Sequence, residues 1–163
     1  MEQIAAVARA MVGYFAGDVQ RINHFVKVYG FAKTIGELEE LDAQTQYTLE
    51  IAALTHDIGI KVSEQKYGST AGHYQQLEGP AEARALLAPL GIPMHTVERV
   101  CWLIARHHTY EGISGADYRI LVEADFLVNI ADDGMEESAI RTVKERVFRT
   151  AAGIALLLDL YRV

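Results

Sequence analysis

Apolar side chains recur every three or four residues along most of this chain, whereas the alternating pattern of a half-buried strand is scarce. Ile4, Val7, Met11 and Phe15 show this helical spacing in the first segment. Only three prolines occur in 163 residues, so few positions interrupt a helix. The sequence therefore predicts an all-α fold, a single-domain helical bundle over residues 1–163.

Capping residues and helix breakers give approximate helix boundaries. Asp18 suits the N-cap of a second helix, Gly59 the end of a third, and Pro80 the first turn of a fourth that Gly91 closes. After the first segment we expect helices at about 18–34, 43–58, 80–90, 93–107, 117–130 and 136–161, with loops at 61–72 and 109–116. The apolar face of the last and longest helix either packs on the core or forms the seam of a possible homodimer.

Charge and composition exclude several classes of partner. The net charge of −7 argues against broad nucleic-acid binding and against an anionic membrane, but not against a small phosphorylated ligand held by a metal. Cys101 is the one cysteine, which excludes an internal disulfide and a thiolate zinc site. No apolar run is long enough to span a membrane, and Glu2 and Arg9 interrupt any signal-like block, so we expect a cytoplasmic protein.

His56 and Asp57 lie side by side at the end of an apolar run, before Gly59. A buried imidazole and a buried carboxylate cost free energy unless something pairs with them, and a divalent cation is a natural partner. His24 and Asp125 also lie within apolar helical segments, and His107 and His108 end another.

Each of these residues has an ordinary structural explanation when it is considered alone. His24 could be a hydrogen-bonded core histidine, and Asp125 could cap a helix or pair with an arginine. His107 and His108 could simply favour the dipole at a helix end. Together, they form a nitrogen and oxygen shell suited to iron, manganese, zinc, cobalt or nickel, with magnesium also tolerated.

The order of His24, the doublet His56–Asp57 and then Asp125 resembles the HD superfamily of metal-dependent phosphohydrolases. The resemblance runs from about residue 21 to residue 128 and implies an HD-type helical domain, with the segment 136–161 as a packing helix. It implies that these four residues are metal ligands.

Many members of that superfamily hold two metals, and there the doublet aspartate bridges the two. The resemblance therefore implies one or two divalent ions, with His107 and His108 near the second. For a further ligand we place Glu78 above His73, which lies in a polar stretch. Members that hydrolyse cyclic dinucleotides carry Gly-Tyr-Pro after their paired histidines, and this chain departs from that pattern after His108.

These ligands predict hydrolysis of a phosphoester in a small phosphorylated metabolite or nucleotide, with water activated by the metal. We expect Asp57, Lys61 and His108 to be catalytic, with Lys61 meeting phosphate and His108 protonating the leaving group if it is not a ligand. The side chains that could also contact phosphate are Lys66, Ser69, Thr70 and Arg106. Two alternatives stay open: a di-iron oxygenase on the same scaffold, and a non-catalytic ligand sensor with a structural metal.

Overall fold

The computed structural model describes residues 2–163, which contain helices and no β-strand. The all-α prediction is therefore confirmed for this part of the chain. In chain order the elements are α1 (Glu2–Tyr14), α2 (Val19–Leu38), α3 (Ala43–Thr55), α4 (Ile60–Tyr67), α5 (Gly72–Leu87), the 3-10 turn Ala88–Leu90, α6 (Met94–Ile104), α7 (Ala116–Asp132), α8 (Glu137–Arg146) and α9 (Ala151–Tyr161). Within these residues, no helix has both the length and the apolar character needed to cross a membrane.

Helices α3 and α7 form the centre of the bundle. Every residue from 48 to 55 of α3 is buried, so this helix is surrounded on all sides at its C-terminal end. Most residues of α7 are buried as well, and α2 packs against both helices. A helix that is apolar all round must lie in a core. The doublet at the end of α3 therefore begins in the interior.

Asp18 caps α2 as the sequence predicts, because its side chain accepts a hydrogen bond from the backbone N–H of Arg21 at 3.1 Å. Helix α3 ends at Thr55, three residues before the expected boundary, and α6 ends at Ile104 rather than at His107. The functional candidates His56 and His107 consequently lie just beyond helix ends, where side chains can converge.

The polar stretch at 61–72 was expected to be a loop, and this expectation is wrong. Residues Ile60–Tyr67 form α4, which ends at Gly68 with a φ of +61°. Helix α4 packs against α5, and this tertiary contact outweighs the weak helical pattern of the segment.

The predicted start of the next helix at Pro80 is also wrong, because α5 begins at Gly72 and contains Pro80 in its interior. Close packing around Gly79 accompanies this unusual proline. A Cβ on Gly79 would lie 2.6 Å from Ile104 Cγ2, and a Cβ on Gly59 would lie 2.9 Å from Gly79 Cα. The two glycines therefore let α5 approach both α6 and the turn after the doublet.

The expected single helix at 136–161 is divided into α8 and α9, so that boundary is corrected. Glu123 of α7 is fully buried and accepts hydrogen bonds from the backbone N–H groups of Arg149 at 2.7 Å and Thr150 at 3.0 Å. The Thr150 hydroxyl donates to the same carboxylate and, as the N-cap of α9, accepts from the N–H of Gly153. The carboxylate therefore replaces the helical hydrogen bonds that a continuous helix would have at this point. The homodimer stays a prediction.

Candidate metal centre

His56 is held in one tautomer by its own chain. Its ring is fully buried, and Nδ1–H donates to the carbonyl oxygen of Ala53, three residues earlier, at 2.8 Å. A carbonyl can only accept, so the proton must lie on Nδ1 of the neutral ring. The lone pair of Nε2 then faces the interior beside Asp57.

Helices α2 and α7 bring His24 and Asp125 to the same point. His24 Nε2 lies 3.3 Å from His56 Nε2, 3.2 Å from Asp57 Oδ2 and 3.1 Å from Asp125 Oδ1. His56 Nε2 lies 3.3 Å from the same Asp57 oxygen and 3.4 Å from the same Asp125 oxygen. The structure thus brings together the four residues that the sequence predicts as ligands.

These separations match the distances between neighbouring ligand atoms in a coordination shell. Ligand atoms about 2.1 Å from a cation stand about 3.0–3.4 Å from one another in tetrahedral or octahedral geometry. Five separations among the four atoms lie between 3.1 and 3.4 Å. Two imidazoles and two carboxylates also suit a borderline divalent cation. The residues present therefore fit a metal ion.

A second group of donors meets the other oxygen of Asp57. His107 is fully buried, its Nδ1–H donates to the carbonyl oxygen of Ile104 at 2.8 Å, and its Nε2 has no hydrogen-bond partner among the described residues. That nitrogen lies 3.4 Å from Asp57 Oδ1, whereas Oδ2 belongs to the first group. Two lone pairs that face each other in a core need a cation or a proton between them. Asp57 is therefore shared by both donor groups and would be a ligand to an ion in either one.

His108 completes this second group. One donor atom from each of Asp57, His107 and His108 lies within 4.8 Å of the others. Gln75 donates its amide to the carbonyl oxygen of Thr70 at 2.7 Å, which turns its Oε1 toward His108 Nε2 at 3.0 Å. Nε2 of His108 must then carry the hydrogen, and Nδ1 carries the lone pair.

Burial and the neighbouring imidazole of His107 lower the pKa of His108 to about 4. At neutral pH His108 is therefore a neutral imidazole, which is a poor general acid. Its geometry favours a role as a metal ligand or hydrogen-bond acceptor over the role that the sequence suggested, in which it protonates the leaving group.

In the absence of a cation, the centre attracts protons. Burial lowers the pKa of His24, but the hydrogen bonds to Asp125 and Asp57 outweigh burial and raise it to about 9. Burial raises the pKa of Asp57, yet the charge of His56 and the contacts with the surrounding imidazoles hold it well below its usual value. The site is therefore built to neutralise its carboxylates with positive charge, from either protons or a metal ion.

Glu78 does not join these groups. Its carboxylate accepts hydrogen bonds from Lys66 Nζ at 3.0 Å and from the Tyr67 hydroxyl at 2.7 Å, and these bonds lower its pKa. Helix α4, which supplies both partners, draws the side chain away from the centre. His73 packs instead on the ring of Tyr74, with 4.0 Å between the ring centroids.

Lys61 is also directed away from the centre. Its Nζ donates to the carbonyl oxygen of Tyr14 at 3.2 Å and lies 5.1 Å from the centroid of that ring. Arg106 packs over Trp102. None of the basic side chains that the sequence predicts as phosphate contacts lines the cavity at the metal centre; these are Lys61, Lys66 and Arg106.

The cavity does contain Arg21, which the sequence analysis overlooked. The cavity is about 520 Å³ in volume, and Arg21 is its one lysine or arginine among the described residues. Arg21 precedes His24 by three residues on α2, so helical spacing places the two on one face. This spacing could have identified Arg21 as a site residue from the sequence.

Asp132 is a second overlooked residue, and it orients His24. Its Oδ2 lies 3.4 Å from His24 Nδ1, and its Oδ1 accepts from Lys27 at 3.3 Å. Histidine ligands commonly bond a carboxylate or carbonyl through the other ring nitrogen, and here Asp132 has that place. Asp132 follows Asp125 by two helical turns, a spacing visible in the sequence.

Comparison with known proteins agrees with this geometry. The family model of the HD domain matches residues 21–134, more than half of the chain. The chain belongs to the HD domain family. The match covers all six residues of the two donor groups, including the adjacent pair His56 and Asp57.

A solved structure extends the likeness over nearly the whole chain. It is the crystal structure of a predicted HD superfamily hydrolase from an uncultured Thermotogales bacterium. The two are 26% identical with a TM-score of 0.65, over 99% of this chain and 84% of the other. The comparison with curated proteins finds no match. The HD family match, this relative and the donor groups together support a metal-dependent hydrolase.

Proposed function

We propose that this HD protein is a metal-dependent phosphohydrolase that releases phosphate from a small phosphorylated metabolite or nucleotide. One observation carries the proposal: four ligand atoms lie at coordination-shell distances while the second oxygen of Asp57 faces His107. A carboxylate shared by two donor groups suits a pair of ions that hold the attacking and leaving oxygens of one phosphoryl group.

The two donor groups divide the ligands. His24, His56, Asp57 and Asp125 would hold the first ion, and Asp57, His107 and His108 would hold the second. When bound, divalent cations at these positions lower the pKa of water and neutralise charge on phosphoryl oxygens. The buried Nδ1 contacts of His56 and His107 fix the direction of both rings without help from the substrate.

The charge of the cavity supports a phosphorylated substrate only when cations are present. Asp18, Asp132 and Asp133 line it in addition to the ligand carboxylates, against the single positive charge of Arg21. Such a surface repels phosphate by itself. With cations bound to these ligands, the same pocket would gain positive charge, and Arg21 could then contact a phosphoryl oxygen.

Arg21 is arranged to serve as that contact. Its guanidinium donates to Glu64 at 3.0 Å, lies 3.3 Å from Asp18 and is 29% exposed at the side chain. Both terminal nitrogens of the guanidinium donate to Glu64, so a phosphoryl oxygen would share or replace one of these bonds. A planar fork of donors suits phosphate recognition.

The test is phosphate release by the purified protein. After treatment with a chelator, the protein is reloaded separately with manganese, iron, cobalt, zinc or magnesium and screened against nucleotides and sugar phosphates. We expect turnover with at least one metal, no dependence on oxygen, and loss of both metal and turnover in Asp57→Ala.

A matched control is Asp159→Ala, which removes an exposed carboxylate on α9 and should leave both properties intact. No phosphate release with any metal would refute the proposal. Oxygen uptake with an organic substrate by the iron-loaded protein would instead favour the di-iron oxygenase.

A further inference from the structure

A second cavity adjoins the metal centre. It is about 920 Å³ in volume, lies between the segment 108–111 and α8, and shares His108 with the first cavity. This volume is in the range of pockets that bind small organic molecules. A ligand could therefore reach both cavities across His108.

Two aromatic rings line this second cavity. The rings of Tyr110 and Phe126 pack with 5.0 Å between their centroids. Phe126 directly follows the ligand Asp125, and Tyr110 comes two residues after His108, so each ring is connected to a ligand through the chain. Tyr110 is 41% exposed. Its ring is available for stacking.

One arginine of the cavity is also available. No carboxylate in the described part of the chain lies within ion-pair distance of Arg146. Arg149, in contrast, donates to the backbone carbonyl oxygens of Phe148 at 2.7 Å and Glu145 at 2.8 Å. The guanidinium N–H groups of Arg146 are therefore available to donate hydrogen bonds to a ligand in the cavity.

The cavity also carries negative charge. Glu111 and Glu145 line it and balance the charges of Arg146 and Arg149, so the cavity offers no net positive charge to a second phosphate group. An uncharged ring with hydrogen-bond acceptors at its edge suits these surroundings better. Aromatic side chains bind such rings through their faces, and guanidinium groups bind acceptor atoms.

We infer that this cavity binds the organic part of the substrate, with an uncharged planar ring against Tyr110 and its acceptor atoms on Arg146. This inference rests on the proposed function, because it places the phosphate of the same molecule at the metal centre. The substrate class is then a phosphate monoester of an alcohol that carries such a ring, in preference to a bare sugar phosphate.

The test compares adenosine 5′-monophosphate with ribose 5-phosphate on the metal-loaded protein. Both esters have the same kind of primary alcohol as leaving group, so a difference reports on the ring. We expect a higher kcat/KM for the nucleotide, and Tyr110→Ala should lower its advantage on the order of tenfold, mainly through KM. Tyr110→Phe keeps the ring and should keep the preference.

Arg146→Ala should also lower the preference, whereas Lys144→Ala is a matched control: Lys144 lies on the same helix but does not line the cavity. Equal kcat/KM for the two esters would overturn the inference, as would an equal loss on both in Tyr110→Ala.

Calorimetry with adenosine, which has no phosphate, separates this inference from the proposed function. We expect adenosine to bind the parent protein and to bind Tyr110→Ala more weakly. Binding of adenosine without phosphate release from any ester would refute the phosphohydrolase and support ring binding in the cavity. No binding of adenosine, with phosphate release intact, would refute ring binding alone.

Discussion

Asp132→Asn tests whether the metal affinity depends on the orientation of His24. The carboxylate of Asp132 accepts from His24 Nδ1 and is itself held by Lys27. Removing such a partner from a histidine ligand typically costs 10- to 100-fold in metal affinity. The 3.4 Å separation is long for a hydrogen bond and the Asp132 side chain is 31% exposed, so we expect the lower end, about tenfold, or ~1.4 kcal/mol.

The measurement is a competitive titration of the metal-free protein with a divalent cation and a chromophoric chelator. Asp133→Asn is the matched control, because it removes the same charge one residue away in the same cavity without a contact to His24. We expect Asp133→Asn to change the affinity by less than Asp132→Asn does. Equal losses in both variants would show that only the charge matters, and an unchanged affinity in Asp132→Asn would refute the orienting role.

Three further predictions concern the second ion, pH and the C-terminal helices. His107→Ala should lower the bound metal from two ions to one in elemental analysis; equal loss of both ions would contradict the division of ligands. Metal affinity should rise with pH up to about 9, because the cation must displace the proton from His24 below that pKa; a titration flat between pH 6.5 and 9 would contradict this. Glu123→Ala should lower the free energy of unfolding by roughly 3 kcal/mol, since it leaves two backbone N–H groups without a partner. Urea denaturation measures this loss, and Glu123→Gln, which keeps an accepting oxygen, should lose clearly less.

The helical class and the convergence of His24, His56, Asp57 and Asp125 could be anticipated from the sequence for one physical reason. Ionisable side chains within apolar helical segments must find partners in the core, and several such segments in one chain can supply partners to each other. That these residues bind metal stays a prediction.

The structure differs from the sequence prediction where tertiary contacts, and not the local sequence, determine the helices. Helix α4 is short and polar, and its packing against α5 leaves no periodic trace in the sequence. Because α4 was taken for a loop, Lys66 and Tyr67 could not be recognised as the partners that hold Glu78.

The break between α8 and α9 was similarly hidden. Apolar residues continue through it at helical spacing, and the cause lies in Glu123, which is far away along the chain. An acid in an apolar helix was noticed at Asp125, but the same signal two residues earlier was not used.

The anchoring of His56 and His107 by carbonyl groups of their own preceding turn has a consequence for how the protein would take up metal ions. These bonds form as soon as the adjacent helices fold, so the donor atoms point inward before any ion arrives. Loading then requires no rearrangement of the chain around these two rings. Which metal would occupy a site already in place would then depend on the supply of metals as well as on the donor atoms.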